Sequence, residues 1–180
     1  LVVALVLVYS SVNSKVDRAN EDRFHLTYNA NRFMNGSAYL TNEVRAYAST
    51  GKKEHYDNYW NEINNLKNRD LGVAAMQEIG ITASEQAMID QMSSLSNNLV
   101  PLEEEAMNQV QEGQMEEALN YVYGDEYNVV IGNINGLKEQ FLDTLDQRTQ
   151  SEVNALVLKA NIIEGVIFLA LLGVGLMQVC

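Results

Sequence analysis

The sequence predicts an all-α protein: an up-down-up-down four-helix bundle whose long first and last helices continue into two transmembrane helices. Three observations predict it. Apolar residues recur at alternating steps of three and four through most of the chain, the spacing of one helical face. A single proline in 180 residues and few β-branched clusters argue against sheets. Uncharged apolar runs stand at both ends, LVVALVLVY at residues 1–9 and VIFLALLGVGLMQVC at 166–180.

The terminal runs set the organisation. A membrane-spanning helix needs about 20 mostly apolar residues. Residues 161–180 approach that length, and the run is expected to continue past Cys180. Glu164 stands near its outer boundary, where a long side chain still reaches the headgroups. Residues 1–9 are too short to span alone and read as the end of a first transmembrane helix. No basic segment precedes them, which argues against a signal peptide. Residues 10–160 are then an excursion between two passages through the same membrane.

Each helix has its own signals. Residues 10–49 form the first, with a seam of Leu26, Ala30, Phe33, Ser37, Leu40, Val44 and Tyr47. Gly51 suits the left-handed position that ends it. Residues 52–79 form the second, on Tyr56, Tyr59, Ile63 and Leu66, resuming at Val73 and Met76 past Gly72. Thr82 and Glu85 make a capping box that opens the third. Its seam is Met88, Met92, Leu95, Leu99, Leu102, Ala106 and Val110. Pro101 lies inside and should bend it, leaving the carbonyl of Asn97 without a helical donor. After a short helical turn at 114–123, Asp125 caps the last helix, which carries Val130, Ile134, Leu137, Phe141 and Leu145. Short connections make neighbouring helices antiparallel. Helices one and four would outrun the inner pair and need a second copy to bury their seam, so a parallel homodimer is expected.

Composition narrows the function. The formal charge is −12, from 24 acidic and 12 basic residues, which argues against nucleic acid as a partner. The one cysteine, Cys180, offers no disulfide framework and no Cys-based zinc site. His25 and His55 belong to no Glu-x-x-His pair, so a di-iron or di-manganese site is not expected. No P-loop, GxGxxG, GxSxG or CxxCH is present. No metal, no cofactor and no enzymatic activity are expected.

Four stretches, in order, carry a family resemblance. Residues 40–51, LTNEVRAYASTG, look like an LT-x-x-V-R-x-Y-x-x-T-G signature closing a first helix. Tyr56, Tyr59 and Trp60 follow. Residues 99–107, LVPLEEEAM, look like L-x-x-L-E-x-x-A-M, and Gly124 to Tyr127 match a G-x-x-Y opening. Together they resemble the four-helix-bundle extracytoplasmic sensor domain of bacterial methyl-accepting chemotaxis proteins, related to domains on histidine kinases and diguanylate cyclases. The resemblance implies an inner-membrane receptor with residues 10–160 outside the cytoplasm. It also implies a downstream cytoplasmic signalling module and a small ligand such as an amino acid or organic acid.

The site residues follow. Tyr47, Tyr56, Tyr59, Trp60 and Tyr127 fall near the ends of helices expected far from the membrane. Their rings could line a pocket, or be core or dimer interface. Arg45 stands one step off the seam, where its guanidinium could hold a ligand carboxylate in two parallel bonds or pair with Glu103, Glu104 or Glu105. The resemblance favours the ligand role, with Arg32 a weaker version. The three glutamates read as a solvated face with one internal ion pair.

Overall fold

The computed structural model describes residues 2–177, with side chains through 174; Leu1 and Cys180 lie outside the described residues. Among those residues all regular structure is helical. The helices are α1 (Val2–Thr50), α2 (Lys53–Asn61), a π-helical turn (Glu62–Leu66), α3 (Asn68–Ile79), α4 (Ala83–Gln111), α5 (Met115–Tyr123) and α6 (Asp125–Met177). The chain divides into two compact units, Leu26–Thr144 and the pair Leu1–His25 with Leu145–Cys180.

In the unit Leu26–Thr144 the α1 seam is buried as its spacing requires. Leu26, Ala30, Phe33, Leu40, Val44 and Tyr47 are all buried and Ser37 is half-buried. Gly51, at φ 66°, closes α1 by donating its N–H to the carbonyl of Tyr47. Thr82 and Glu85 bond each other reciprocally at the start of α4, as their spacing predicts. Pro101 stands inside α4.

The expected second helix, residues 52–79, is not one helix. It unwinds at 62–66 and breaks at Lys67, which is left-handed at φ 50°. The cause is Glu62. Its carboxylate accepts from the backbone N–H of Asn68 (2.8 Å) and from that residue's amide (2.9 Å). An orphan donor at the head of α3 is thus satisfied from the preceding turn. The widened turn shifts the seam. Glu62 is 3% exposed, whereas Leu66, expected inside, is 46% exposed. Past the break, Gly72 lets α3 lie directly on α1, because a Cβ there would stand 2.7 Å from the Asn29 carbonyl oxygen.

A second correction concerns α4. Its buried stripe is Glu85, Ile89, Met92, Leu99, Glu103, Ala106 and Met107. Val110, Met88 and Leu102 are only half-buried. The face is therefore turned so that Glu103 points inward, and the glutamate triad is not a uniformly solvated face.

In the other unit the helix period continues through buried Leu145, Thr149, Val153 and Ala160. Arg23 bonds Asp146 at 2.7 Å, and the Thr149 hydroxyl donates to the Leu145 carbonyl. Farther along, apolar side chains are exposed on several sides, among them Leu158, Ile162, Phe168 and Leu169. The stretch Met115–Val174, which takes in α5 and α6, contains an 18-residue window of mean hydropathy 2.1 that is 6% buried. It is long and apolar enough to cross a membrane. No second helix among the described residues meets that length and composition.

Candidate functional site

The aromatic residues and the arginine singled out in the sequence are placed differently. Tyr59 from α2 and Tyr127 from α6 are fully buried. Their hydroxyls donate to opposite oxygens of Glu103, at 2.5 and 2.7 Å. Tyr127 also lies 3.5 Å from the Thr41 hydroxyl of α1. One carboxylate therefore ties helices far apart in sequence. Burial pushes Glu103 above the usual carboxylate range, against the two phenols and the nearby Arg69 charge, which pull it down. Burial first, and then the Glu103 charge, raise both phenols well above their ordinary value. Hydrogen bonds to a charged acceptor contribute about 1.5–3 kcal/mol each, so this cluster is a strong internal clasp.

The other rings belong to the same packed region. Tyr47 is buried, and Tyr56 and Trp60 are partly buried against it. The rings run in a chain, Tyr47 to Tyr56 at 5.5 Å, Tyr56 to Trp60 at 6.3 Å, and Trp60 to Tyr59 at 5.3 Å. Aromatic pairs at these spacings and tilts stabilise a core beyond their area.

Arg45 bonds to other groups. Its Nε donates to the carbonyl of Val122 (2.9 Å), and Nη2 to the Asn128 side chain (2.8 Å). Val122 is in the last turn of α5, where carbonyls have no helical donor and a cation is favoured. The guanidinium also sits 4.7 Å from the Tyr123 ring centroid and 5.2 Å from that of Tyr127. The pairing with Glu103, Glu104 or Glu105 weighed from the sequence does not form. Glu103 faces the phenols instead. Arg32 donates to Asn68 at 2.9 Å, joining α1 to the break before α3.

Arg45 lines a cleft of about 200 Å³ between α1, α4 and α6. Phe33, Met92, Leu99 and Ile134 supply apolar wall, with Thr41 and Ser96 between them. Lys138 lines the same cleft. Sequence reasoning passed over Lys138. Its only signal was a cation one step beyond the seam residue Leu137. Two cations over an apolar wall can recognise a carboxylate and exclude a neutral apolar molecule. Among the described residues no group of His, Cys, Asp and Glu is arranged to hold a metal ion.

No family model, no curated protein and no solved structure matches the chain.

Proposed function

We propose that this chain is the extracytoplasmic sensor region of a bacterial transmembrane chemoreceptor. In this reading the helices form an up-down-up-down bundle, residues 161–180 cross the inner membrane, and a small carboxylate binds on the bundle. The observation that carries it is the cleft shared by Arg45 and Lys138 in a chain of formal charge −12. The exposed apolar surface of the last helix supports the membrane assignment, because lipid is the medium that covers a helix apolar on all sides.

The mechanism follows from packing. A ligand bridging Arg45 on α1 and Lys138 on α6 favours one arrangement of those helices. It acts only through its differential affinity for the two arrangements. Packed helices shift by about 1–2 Å between such states, and α6 carries the shift toward the membrane and a downstream signalling module. The chain itself performs no chemistry in this account.

The test is a thermal-shift screen of the full chain in lipid nanodiscs against small mono- and dicarboxylates, succinate and L-aspartate among them. A ligand at 100 times its Kd stabilises by about 2.7 kcal/mol, a rise of several degrees. The rise should fall by about half or more in Lys138→Gln. A panel that leaves every melting point unchanged removes the sensing role.

A second reading, a docking or dimerisation module, is favoured by one observation. Tyr28, Tyr39 and Leu66 leave apolar surface exposed around Gly36. A parallel homodimer seated there would cover it. Sedimentation of the nanodisc-free chain in detergent distinguishes dimer from monomer.

A further inference from the structure

The geometry points to a second small-molecule site, between the π-helical turn with α3 on one side and α4 on the other, built to hold a zwitterion through Arg69. This site is separate from the Arg45–Lys138 cleft and does not depend on that reading.

The starting point is a buried guanidinium nitrogen without a hydrogen bond. Arg69 is half-buried, its Nε is shut off from solvent without a hydrogen bond, and it forms no ion pair among the described residues. A buried N–H without an acceptor is costly, and proteins ordinarily satisfy it with another group, a water or a ligand. Arg69 is nevertheless held firmly. Its stem passes over Gly36 of α1, where a Cβ would stand 3.0 Å from its Cγ. Burial lowers the guanidinium from its ordinary range, against the nearby charges of Asp70 and Glu103.

Arg69 opens onto a cleft of about 410 Å³, within the range that holds small ligands. Two further polar groups belong to residues that line it. Trp60 Nε1 is buried and has no acceptor. Asn97 has a carbonyl whose helical donor is missing, because the residue four positions on is Pro101. Leu40, Ile63 and Val100 give the cleft its apolar wall.

Charge selects the ligand class. The cations Lys67 and Arg69 and the carboxylates of Asp70 and Glu104 line the same cleft. Glu62, also in the lining, is already bonded to Asn68. A dianion such as phosphate or succinate meets two free carboxylates there and is repelled. A molecule with one carboxylate and one ammonium finds a partner for each: the carboxylate takes the Arg69 fork, and the ammonium takes Glu104 and the Asn97 carbonyl.

Trp60 is the chain's single tryptophan and lines the cleft, so it reports on occupancy directly. The experiment is a fluorescence titration of the full chain in nanodiscs. The probes are the common L-amino acids, with glycine betaine, succinate and inorganic phosphate beside them, each up to ~10 mM. The expected result is a saturable change in Trp60 emission with at least one amino acid and none with succinate or phosphate. Arg69→Met should weaken that response ~10-fold or more, and Lys138→Gln should leave it unchanged. Arg69→Lys keeps the charge without the fork and should weaken it less. Ser93→Leu, which fills the cleft from α4 without touching Arg69, should abolish the response and keeps the test decisive should the Arg69 variants misfold. A flat titration with every amino acid overturns the site. So does an amino-acid response that survives Ser93→Leu, or saturation by succinate or phosphate instead.

Discussion

Two regions of the helical unit, both rich in the residues from which binding sites are made, have opposite characters. Around Glu103 the phenol hydroxyls of Tyr59 and Tyr127 are paired inward. Two phenols close on one carboxylate and four rings pack in sequence. Along α1, α4 and α6 the cations Arg45 and Lys138 line an open cleft instead. Residue type alone does not make a site. A tyrosine whose hydroxyl is already bonded in a dry core has nothing left to offer a ligand, whereas a lysine on a cleft wall does.

The largest test of this contrast is Glu103→Ala. It leaves two buried hydroxyls without acceptors and opens a cavity, and breaking a buried charged cluster costs about 3–5 kcal/mol. In a chain of this size that lowers Tm by about 10 °C, measurable by circular dichroism. A loss under about 1 kcal/mol would mean the clasp is not what holds this core. Next is Gly72→Ala, whose methyl group meets the backbone of Asn29 and Phe33 on α1. Overpacking of this kind costs about 1–3 kcal/mol, readable from the urea midpoint. An unchanged midpoint would show that α3 can move off α1 freely.

The pH dependence sharpens the same comparison. Glu103, Tyr59 and Tyr127 all have folded-state values above their unfolded ones. Folding therefore binds protons at each, and stability falls as pH rises. The phenol contribution is complete below the ordinary phenol value of about 10 and is lost above it. The Glu103 contribution is complete below about 4.3 and declines as pH climbs through its raised folded value. Urea midpoints should fall steeply above about pH 10 in the wild type and less steeply in Tyr59→Phe. Equal slopes in the two proteins would contradict the assignment.

The smallest effect on stability belongs to the open region. Lys138→Gln touches no buried bond and should change stability by under about 0.5 kcal/mol. It should still weaken binding of a small carboxylate ~10-fold or more. Separation of binding from stability is the signature of a cleft residue, and a large stability loss would place Lys138 in the structural class with Glu103.

The parts of the molecule legible in the sequence are those set by local chemistry. The α1 seam, the Thr82–Glu85 box and the glycine end at Gly51 each depend on residues a few positions apart, and each stands where the pattern predicts. What stayed hidden depends on distant partners. Glu103 reads as surface beside two more glutamates, and its burial makes sense only with phenols 44 and 24 residues away. The break at Lys67 carries no glycine or proline, because a side chain, Glu62, satisfies the freed donor. Charge alone leaves Arg45 open to a ligand carboxylate or to the acidic triad, whereas its bonds go to a helix-end carbonyl and an amide. Which tyrosines are closed off and which cation faces open space is a property of packing, not of composition.

The most direct test is methyl NMR on the full chain in nanodiscs, titrated with whichever carboxylate raises the melting point most. Shift changes concentrated on Met92, Leu99, Ile131 and Ile134, the apolar lining between Arg45 and Lys138, are the predicted result. Changes that spare those methyls and appear only around Tyr59 and Met107, or no changes at saturation, would contradict the account.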